Sequence, residues 1–263
     1  MQPWLHLRQA SRALLADQRR LVTLLGPGDI GKTRLALQAA ADLAPHFPDG
    51  VAFVALAPVA DAAEMVTAIA EAVNCPLRAS PDPEAALLAF LHERAMLLVL
   101  DNLEHLLGPQ HGSHVSALFA NMLHAAPQVF LLVTSRERLR LRDEWVVALE
   151  GLPLPADERH GMIERSEAVL LFLERARQVA SDFALTGQNR ASVAQICQLL
   201  GGTLLGIELA ASWVRVLSCE EIAAEIMHGA DMEALADRTL PLRHRSLHAV
   251  IEHSWQLLSA NER

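Results

Sequence analysis

The stretch GPGDIGKT at residues 26–33 decides the fold of this 263-residue chain. An apolar run, LVTLL at 21–25, precedes it, and a helical pattern at 33–44 follows it. The stretch contains Lys32, which is the only lysine in the chain, whereas every other basic residue is an arginine. A strand, a glycine-rich turn and a helix in this order predict a loop whose backbone N–H groups can approach a bound anion.

The glycines and the lysine fit the Walker A pattern, G-x-x-x-x-G-K-[S/T], which binds phosphate when it lies between a strand and a helix. The glycine backbone and the N-terminus of the helix then face the phosphates. Lys32 supplies a compact charge that the planar, bulkier head of arginine cannot replace, and Thr33 offers a hydroxyl to Mg²⁺. The predicted contacts of a Mg²⁺-bound ADP or ATP are Gly26, Pro27, Gly28, Asp29, Ile30, Gly31, Lys32, Thr33 and Arg34.

Short apolar runs alternate with helical patterns through residues 1–150. The runs are continuous rather than alternating, as in strands that are buried on both faces. Repetition of strand and helix predicts an α/β fold with a parallel sheet covered by helices. The predicted strands are 21–25, 51–56, 97–100, 129–134 and 145–149, and the predicted helices are 33–44, 61–73, 83–94 and 113–125.

The composition changes at 150–161, EGLPLPADERHG, which is rich in proline, glycine and charge. Strand patterns stop there, so we predict a nucleotide-binding domain at 1–155 and an all-helical domain at 156–239. The predicted helices are 165–182, 190–200, 203–217, 218–228 and 246–258. Ser218 and Glu221 have the spacing of a capping box. A second such pattern, SANE at 259–262, begins a helix that the sequence does not finish, which predicts a piece of a longer protein.

Asp101 is the candidate ligand on the metal side of the site. It ends an apolar strand within AMLLVLDNLEH, residues 95–105, which is the Walker B arrangement, and it would hold Mg²⁺ directly or through water. The alternative is that Asp101 only caps a following helix. Many ATPases place a water-orienting carboxylate next in sequence, but this chain has Asn102, which cannot act as a base. Glu104 is the nearest substitute, or else a surface residue, and we expect slow hydrolysis.

Arg136 is the candidate sensor of the terminal phosphate. It follows the strand and the polar residues Thr134 and Ser135 in VFLLVTSRERLRLRDE, residues 129–144. A polar group at the end of such a strand can contact a γ-phosphate. The alternative interpretation is a solvated charged face, which is the one that we favour for the arginines at 138, 140 and 142.

Composition limits the classes of partner. The net charge is −9, which argues against tight nucleic-acid binding by this segment because such binding relies on many contacts from basic residues to phosphate. The three cysteines are Cys75, Cys197 and Cys219, and their spacing fits neither a disulfide framework nor a metal pair. No apolar run approaches the length of about 18 residues that suggests a membrane span. We therefore expect a cytoplasmic protein that does not insert into membranes.

Several motifs in order resemble the nucleotide-binding domain of bacterial STAND ATPases, which are relatives of NB-ARC domains. In the first half these are GPGDIGKTRLALQAA, LLVLDNLEH, LLVTSRERL and LEGLPLP. The segment 192–218 resembles the GLPL helix pair of that family, and 240–263 resembles the start of its winged-helix domain. The resemblance covers nearly the whole chain.

The resemblance implies a five-stranded P-loop sheet in the order 2-3-4-1-5, a small helical domain and a winged helix that is truncated here. It also implies a signalling or transcription-regulating switch that holds ADP at rest, takes up ATP and then self-associates, with sensor and effector domains outside this chain. Asp29 stands where the family usually has glycine. Leu204 replaces the GLPL proline that packs near the nucleotide, so Leu204 is the implied contact from the helical domain.

Two other interpretations remain at this stage. One is a working P-loop ATPase or phosphotransferase with brisk turnover. The other is a scaffold for protein interaction that has lost nucleotide binding, for which Asp29, Asn102 and Leu204 are the motivating departures from the family pattern.

Overall fold

The computed structural model describes residues 2–15, 19–28, 30–77, 81–154 and 163–236. Asp29, the predicted helix at 246–258 and the predicted winged-helix segment at 240–263 lie outside these ranges. The chain divides after Glu150 into two compact units, Met1–Glu150 and Gly151–Arg263.

The first unit contains a parallel five-stranded sheet in the order β2-β3-β4-β1-β5, which confirms the predicted topology. The strands are β1 (Leu21–Leu25), β2 (Val51–Ala55), β3 (Met96–Asp101), β4 (Val129–Ser135) and β5 (Glu144–Ala148). The helices of this unit are α1 (Gln2–Leu15), α2 (Lys32–Leu43), α3 (Ala62–Ala72), α4 (Pro83–His92) and α5 (Gly112–Ala125).

Both faces of the sheet are covered by helices, which explains why the strand sequences are continuously apolar. Along β3, Leu97 and Val99 pack in a core with α1 and α2, whereas Leu98 and Leu100 pack in a second core with α3, α4 and α5. All four side chains are fully buried. Successive residues of a strand point to opposite faces, so one apolar run fills both cores.

Helix α1 was not among the predicted elements. Its buried residues Leu7, Ala10 and Leu14 recur every three or four positions, which is the spacing of one helix face. They belong to the core that contains α2. The apolar stripe is interrupted by polar residues and is rich in alanine, so its pattern is weaker than that of the other helices.

The second unit is helical in the residues that the structure describes. Its helices are α6 (Glu167–Val179), α7 (Arg190–Leu199), α8 (Leu204–Ser212) and α9 (Cys219–Ala236). They surround a core that includes Phe172, Ile196 and Ile222. The predicted helix at 203–217 ends earlier, at Ser212, and is followed by a short 3-10 turn at Trp213–Arg215.

The predicted capping box at the start of α9 is confirmed. The backbone N–H of Ser218 donates to the Glu221 carboxylate at 2.8 Å, and the N–H of Glu221 donates to the Ser218 hydroxyl at 3.3 Å. The bond from the Ser218 N–H, and a second from the Ser218 hydroxyl at 2.8 Å, lower the pKa of the Glu221 carboxyl, because the charged form accepts them best.

A turn of two glycines precedes α8 and depends on close backbone packing. Gly201 and Gly202 have φ values of 59° and 70°. The N–H of Leu152 donates to the Gly202 carbonyl at 2.9 Å. A Cβ atom on Gly151 would clash with the Gly201 carbonyl, and one on Gly202 would clash with the Leu152 backbone. Neither Gly151 nor Gly202 therefore has room for a side chain.

Among the described residues, no helix combines the length and the apolar character that crossing a bilayer requires.

Candidate nucleotide-binding site

The predicted site residues of the first unit that the structure describes lie at one edge of its sheet. Strands β3, β4 and β1 are neighbours and parallel, so their carboxyl ends meet at the same edge. The loop after β1 carries the Walker A glycines, β3 ends in Asp101, and Arg136 follows β4. Ligand sites of open parallel sheets occupy this edge.

The loop after β1 is held close to its neighbouring strands. The N–H of Gly26 donates to the Ser135 carbonyl at 3.2 Å, and the N–H of Leu149 donates to the Leu25 carbonyl at 2.7 Å. A Cβ atom on Gly26 would lie 2.8 Å from the Leu149 carbonyl oxygen, so only glycine fits this position. Gly31, with φ of 88°, then turns the chain into α2.

Lys32 is the first residue of α2, and its side chain folds back over the loop. The Nζ ammonium donates to the carbonyl oxygens of Gly26 at 2.9 Å and Pro27 at 2.7 Å. The positive charge therefore lies at the loop, next to the N-terminus of a helix, where both the charge and the helix dipole favour an anion. Ile30, within the loop, is buried, and Arg34 is exposed on α2.

Asp101 receives two hydroxyl hydrogen bonds. Thr33 Oγ1 donates to Asp101 Oδ1 at 2.8 Å, and Thr134 Oγ1 donates to the same oxygen at 2.6 Å. Because the Thr33 hydroxyl acts as the donor in its hydrogen bond to Asp101, the lone pairs of Thr33 Oγ1 remain available to a cation. Hydroxyl and carboxylate oxygens are ligands that suit Mg²⁺, so this pair fits the ion that a nucleotide would bring.

Thr134 has a role in this geometry that the sequence analysis did not predict. Its Oγ1 accepts the N–H of Asn102 at 2.9 Å while it donates to Asp101. Asn102 has φ of 66°, a left-handed conformation that asparagine tolerates better than most residues. Asn102 therefore suits the turn that begins directly after β3 ends at Asp101. A buried polar residue at a strand end was the only available signal for Thr134.

Replacing Thr134 with valine should lower the free energy of unfolding by about 1–3 kcal/mol, because the half-buried N–H of Asn102 loses its acceptor and the Asp101 carboxylate loses a hydroxyl donor. Thr23→Val is the matched control. Thr23 lies on the adjacent strand β1, and its buried hydroxyl has no hydrogen-bond partner among the described residues. Its replacement should leave stability unchanged or slightly higher. Urea titration followed by circular dichroism measures both changes, and equal losses would contradict the assigned role of Thr134.

Glu104 and Arg136 form an ion pair that the sequence analysis did not foresee. Arg136 Nε lies 2.9 Å from Glu104 Oε1. The guanidinium also rests against the phosphate-binding loop, since a Cβ atom on Gly28 would lie 3.0 Å from Arg136 Nη2. The predicted base and the predicted sensor are thus partners of each other at the loop.

Two predicted site residues are not part of the geometry described above. Leu204 belongs to the second unit, where it is the first residue of α8 and follows the double-glycine turn. Asp29 is not among the described residues. Arg138, Arg140 and Arg142 are exposed, which is compatible with the solvated face that we favoured for them.

Known proteins resemble this chain in sequence over most of its length, although no protein-family model matches it. A "putative HTH-type transcriptional regulator" of Mycobacterium tuberculosis is 38% identical over 251 residues, which cover 95% of this chain and 26% of that protein. A regulator of the same description from Mycobacterium bovis gives the same figures. An uncharacterised protein of M. tuberculosis is 34% identical over 252 residues, covering 96% of this chain and 60% of its own length.

Solved structures resemble the chain in fold at low sequence identity. A Walker-type ATPase of Pyrococcus abyssi matches with a TM-score of 0.54 and 16% identity, over 89% of this chain and 75% of that one. This chain has the P-loop NTPase fold. The Drosophila origin recognition complex, solved bound to DNA, matches with a TM-score of 0.53 and 11% identity, over 96% of this chain and 67% of its own.

Proposed function

We propose that this chain is the nucleotide-binding part of an ADP/ATP-dependent molecular switch of the STAND class, with an NB-ARC-like domain, within a longer signalling or transcription-regulating protein. The observation that carries the proposal is the convergence of Lys32, Thr33, Asp101 and Arg136 at the carboxyl edge of one parallel sheet. This set contains a cation for phosphates, two oxygen groups for Mg²⁺ and a second cation beside the loop.

The residues divide the work of binding among them. Lys32 would supply positive charge to the phosphates, and the backbone N–H groups of the loop would donate hydrogen bonds to them. Thr33 and Asp101 would hold Mg²⁺, which supplies further positive charge there. Arg136 is placed to respond to a terminal phosphate. Leu204 is the contact that we assign to the second unit by analogy with the STAND family.

Hydrolysis in this proposal is slow. Asn102 follows Asp101 and cannot accept a proton from water. Glu104, the nearest carboxylate in sequence, is engaged with Arg136 at 2.9 Å. A switch that is read out by its bound nucleotide benefits from slow turnover, since each state then persists. Turnover of several molecules per second would instead favour a working P-loop enzyme.

The wider setting follows from the family resemblance and from the regulators that the chain matches. We propose that the ATP-bound form self-associates in the cytoplasm and that sensor and effector domains lie in other parts of the full protein. DNA contact is assigned to those other parts, because this segment carries a net charge of −9.

Calorimetric titration of Mg²⁺-bound ADP and ATP into the purified chain tests the proposal. We expect one site for each nucleotide, and we expect ADP to be released when a freshly purified sample is denatured. Circular dichroism confirms that the titrated sample is folded. A folded chain that binds neither nucleotide would overturn the proposed function and favour the interaction scaffold.

A further inference from the structure

Glu104 and Arg136 are 32 positions apart in sequence but paired at the phosphate-binding loop. We propose that Glu104 sets the preference between a nucleoside diphosphate and a triphosphate by competing with the terminal phosphate for Arg136. Glu104 is then a positioning residue that acts through Arg136, rather than the base that orients water. This inference rests on the proposed function, since it requires a nucleotide in the loop.

The geometry places one guanidinium between the Glu104 carboxylate and the phosphate-binding loop. Arg136 Nε faces Glu104 Oε1 at 2.9 Å, whereas Nη2 faces Gly28 of the loop, where a Cβ atom would lie 3.0 Å away. A guanidinium carries five N–H donors in a fixed fork, so its Nη groups can meet an anion on the loop side. A stronger contact between the Arg136 guanidinium and an anion on the loop side draws the guanidinium away from the Glu104 carboxylate.

Burial makes the two partners unequal. The Glu104 side chain is 16% exposed, whereas the Arg136 side chain is 53% exposed. Glu104 Oε2 is buried and has no hydrogen-bond partner among the described residues. The carboxylate is therefore the fixed member of the pair, and the arginine is the member with space to move.

The unequal burial of Glu104 and Arg136 makes the ion pair disfavour a triphosphate relative to a diphosphate. If a terminal phosphate draws Arg136 away, Glu104 is left as a mostly buried carboxylate without its counter-charge, which is unfavourable. That cost offsets part of the gain from the arginine–phosphate contact. A diphosphate lacks the terminal phosphate and leaves the pair intact. Glu104 therefore weakens triphosphate binding selectively.

The test is a double-mutant cycle on the full chain with Glu104→Gln, Arg136→Gln and the combined variant. Calorimetry measures the Kd values of Mg²⁺-bound ADP and ATP for each protein. We expect E104Q to raise ATP affinity about 3- to 10-fold relative to ADP, the range of a partly exposed ion pair of about 1 kcal/mol. R136Q should weaken ATP binding and leave ADP unchanged. The combined variant should match R136Q, because Glu104 acts only through the arginine.

Glu137→Gln and Arg138→Gln are the matched controls, since they remove the same charges one and two positions beyond Arg136 from exposed side chains. Their ratio of ATP to ADP affinity should equal that of the parent. If E104Q does not fold, Glu104→Asp keeps the charge but shortens its reach, and it should shift the ratio in the same direction.

The outcomes separate this inference from the proposed function. A parent chain that binds both nucleotides, with a ratio that E104Q leaves unchanged or shifts toward ADP, overturns the role of Glu104 alone. A loss of turnover in E104Q without a change in the ratio identifies the water-orienting base instead. Independent effects of the two substitutions also contradict the inference. A parent chain that binds neither nucleotide overturns the proposed function and this inference together.

Discussion

Replacing Lys32 with methionine should weaken the binding of both ADP and ATP by about 30-fold or more, because charged hydrogen bonds to phosphate contribute about 2–3 kcal/mol or more. The ammonium lies over the Gly26 and Pro27 carbonyls, at the centre of the loop. Methionine keeps the length of the side chain but removes its charge and its three donors. Calorimetric titration of Mg²⁺-bound ADP and ATP measures the loss.

Arg142→Met is the matched control for charge, because Arg142 is exposed and lies just before β5, at the edge of the sheet opposite the loop. It should bind both nucleotides as the parent does. Lys32→Arg keeps the charge but exchanges a compact ammonium for a planar fork, so it should also bind weakly. Full affinity in Lys32→Met would contradict the assignment of this loop as the phosphate site.

The second large effect concerns stability: Gly202→Ala should lower the free energy of unfolding by about 2–5 kcal/mol. Two costs combine at this position. A left-handed backbone costs an alanine about 1–2 kcal/mol, and forced overpacking adds about 1–3 kcal/mol. Gly202 has φ of 70°, and its Cβ would lie 2.8 Å from the Leu152 backbone nitrogen. Because the obstacle is backbone rather than a flexible side chain, the turn itself must shift. Urea unfolding monitored by circular dichroism measures the change.

Gly50→Ala separates these two costs. Gly50 has φ of 88°, but a Cβ atom there meets nothing within 4 Å. Its replacement should cost only the conformational part, about 1–2 kcal/mol. If Gly202→Ala and Gly50→Ala cost the same, the close approach between segment 151–152 and the double-glycine turn does not contribute to stability.

The sheet could be predicted because its signal is local. A strand that is buried on both faces needs an apolar residue at nearly every position, and β3 and β4 show that run directly in the sequence. The strand order came from the family resemblance rather than from periodicity. Helix α1 was missed because its alanine-rich stripe is weak, and its burial depends on α2 and the sheet.

The site was predicted one residue at a time, but its pairings were not. Motif spacing predicted Lys32 and Asp101 as site residues without the fold. The pair of Glu104 with Arg136, and the two bonds of Thr134, depend on how β3 and β4 align, which single positions in a sequence do not encode. The same applies to the contact of Gly151 with the Gly201–Gly202 turn, which joins segments 50 positions apart.

The position of the only lysine has a consequence for chemical labelling. In this chain, Lys32 carries the single side-chain primary amine, and that amine lies on the Gly26 and Pro27 carbonyls. An amine-acylating reagent therefore has one side-chain amine with which to form a stable amide, and that amine is at the phosphate-binding loop. The rate at which the Lys32 amine is acylated therefore reports directly whether a bound ligand covers the phosphate-binding loop. No engineered label is needed for this measurement.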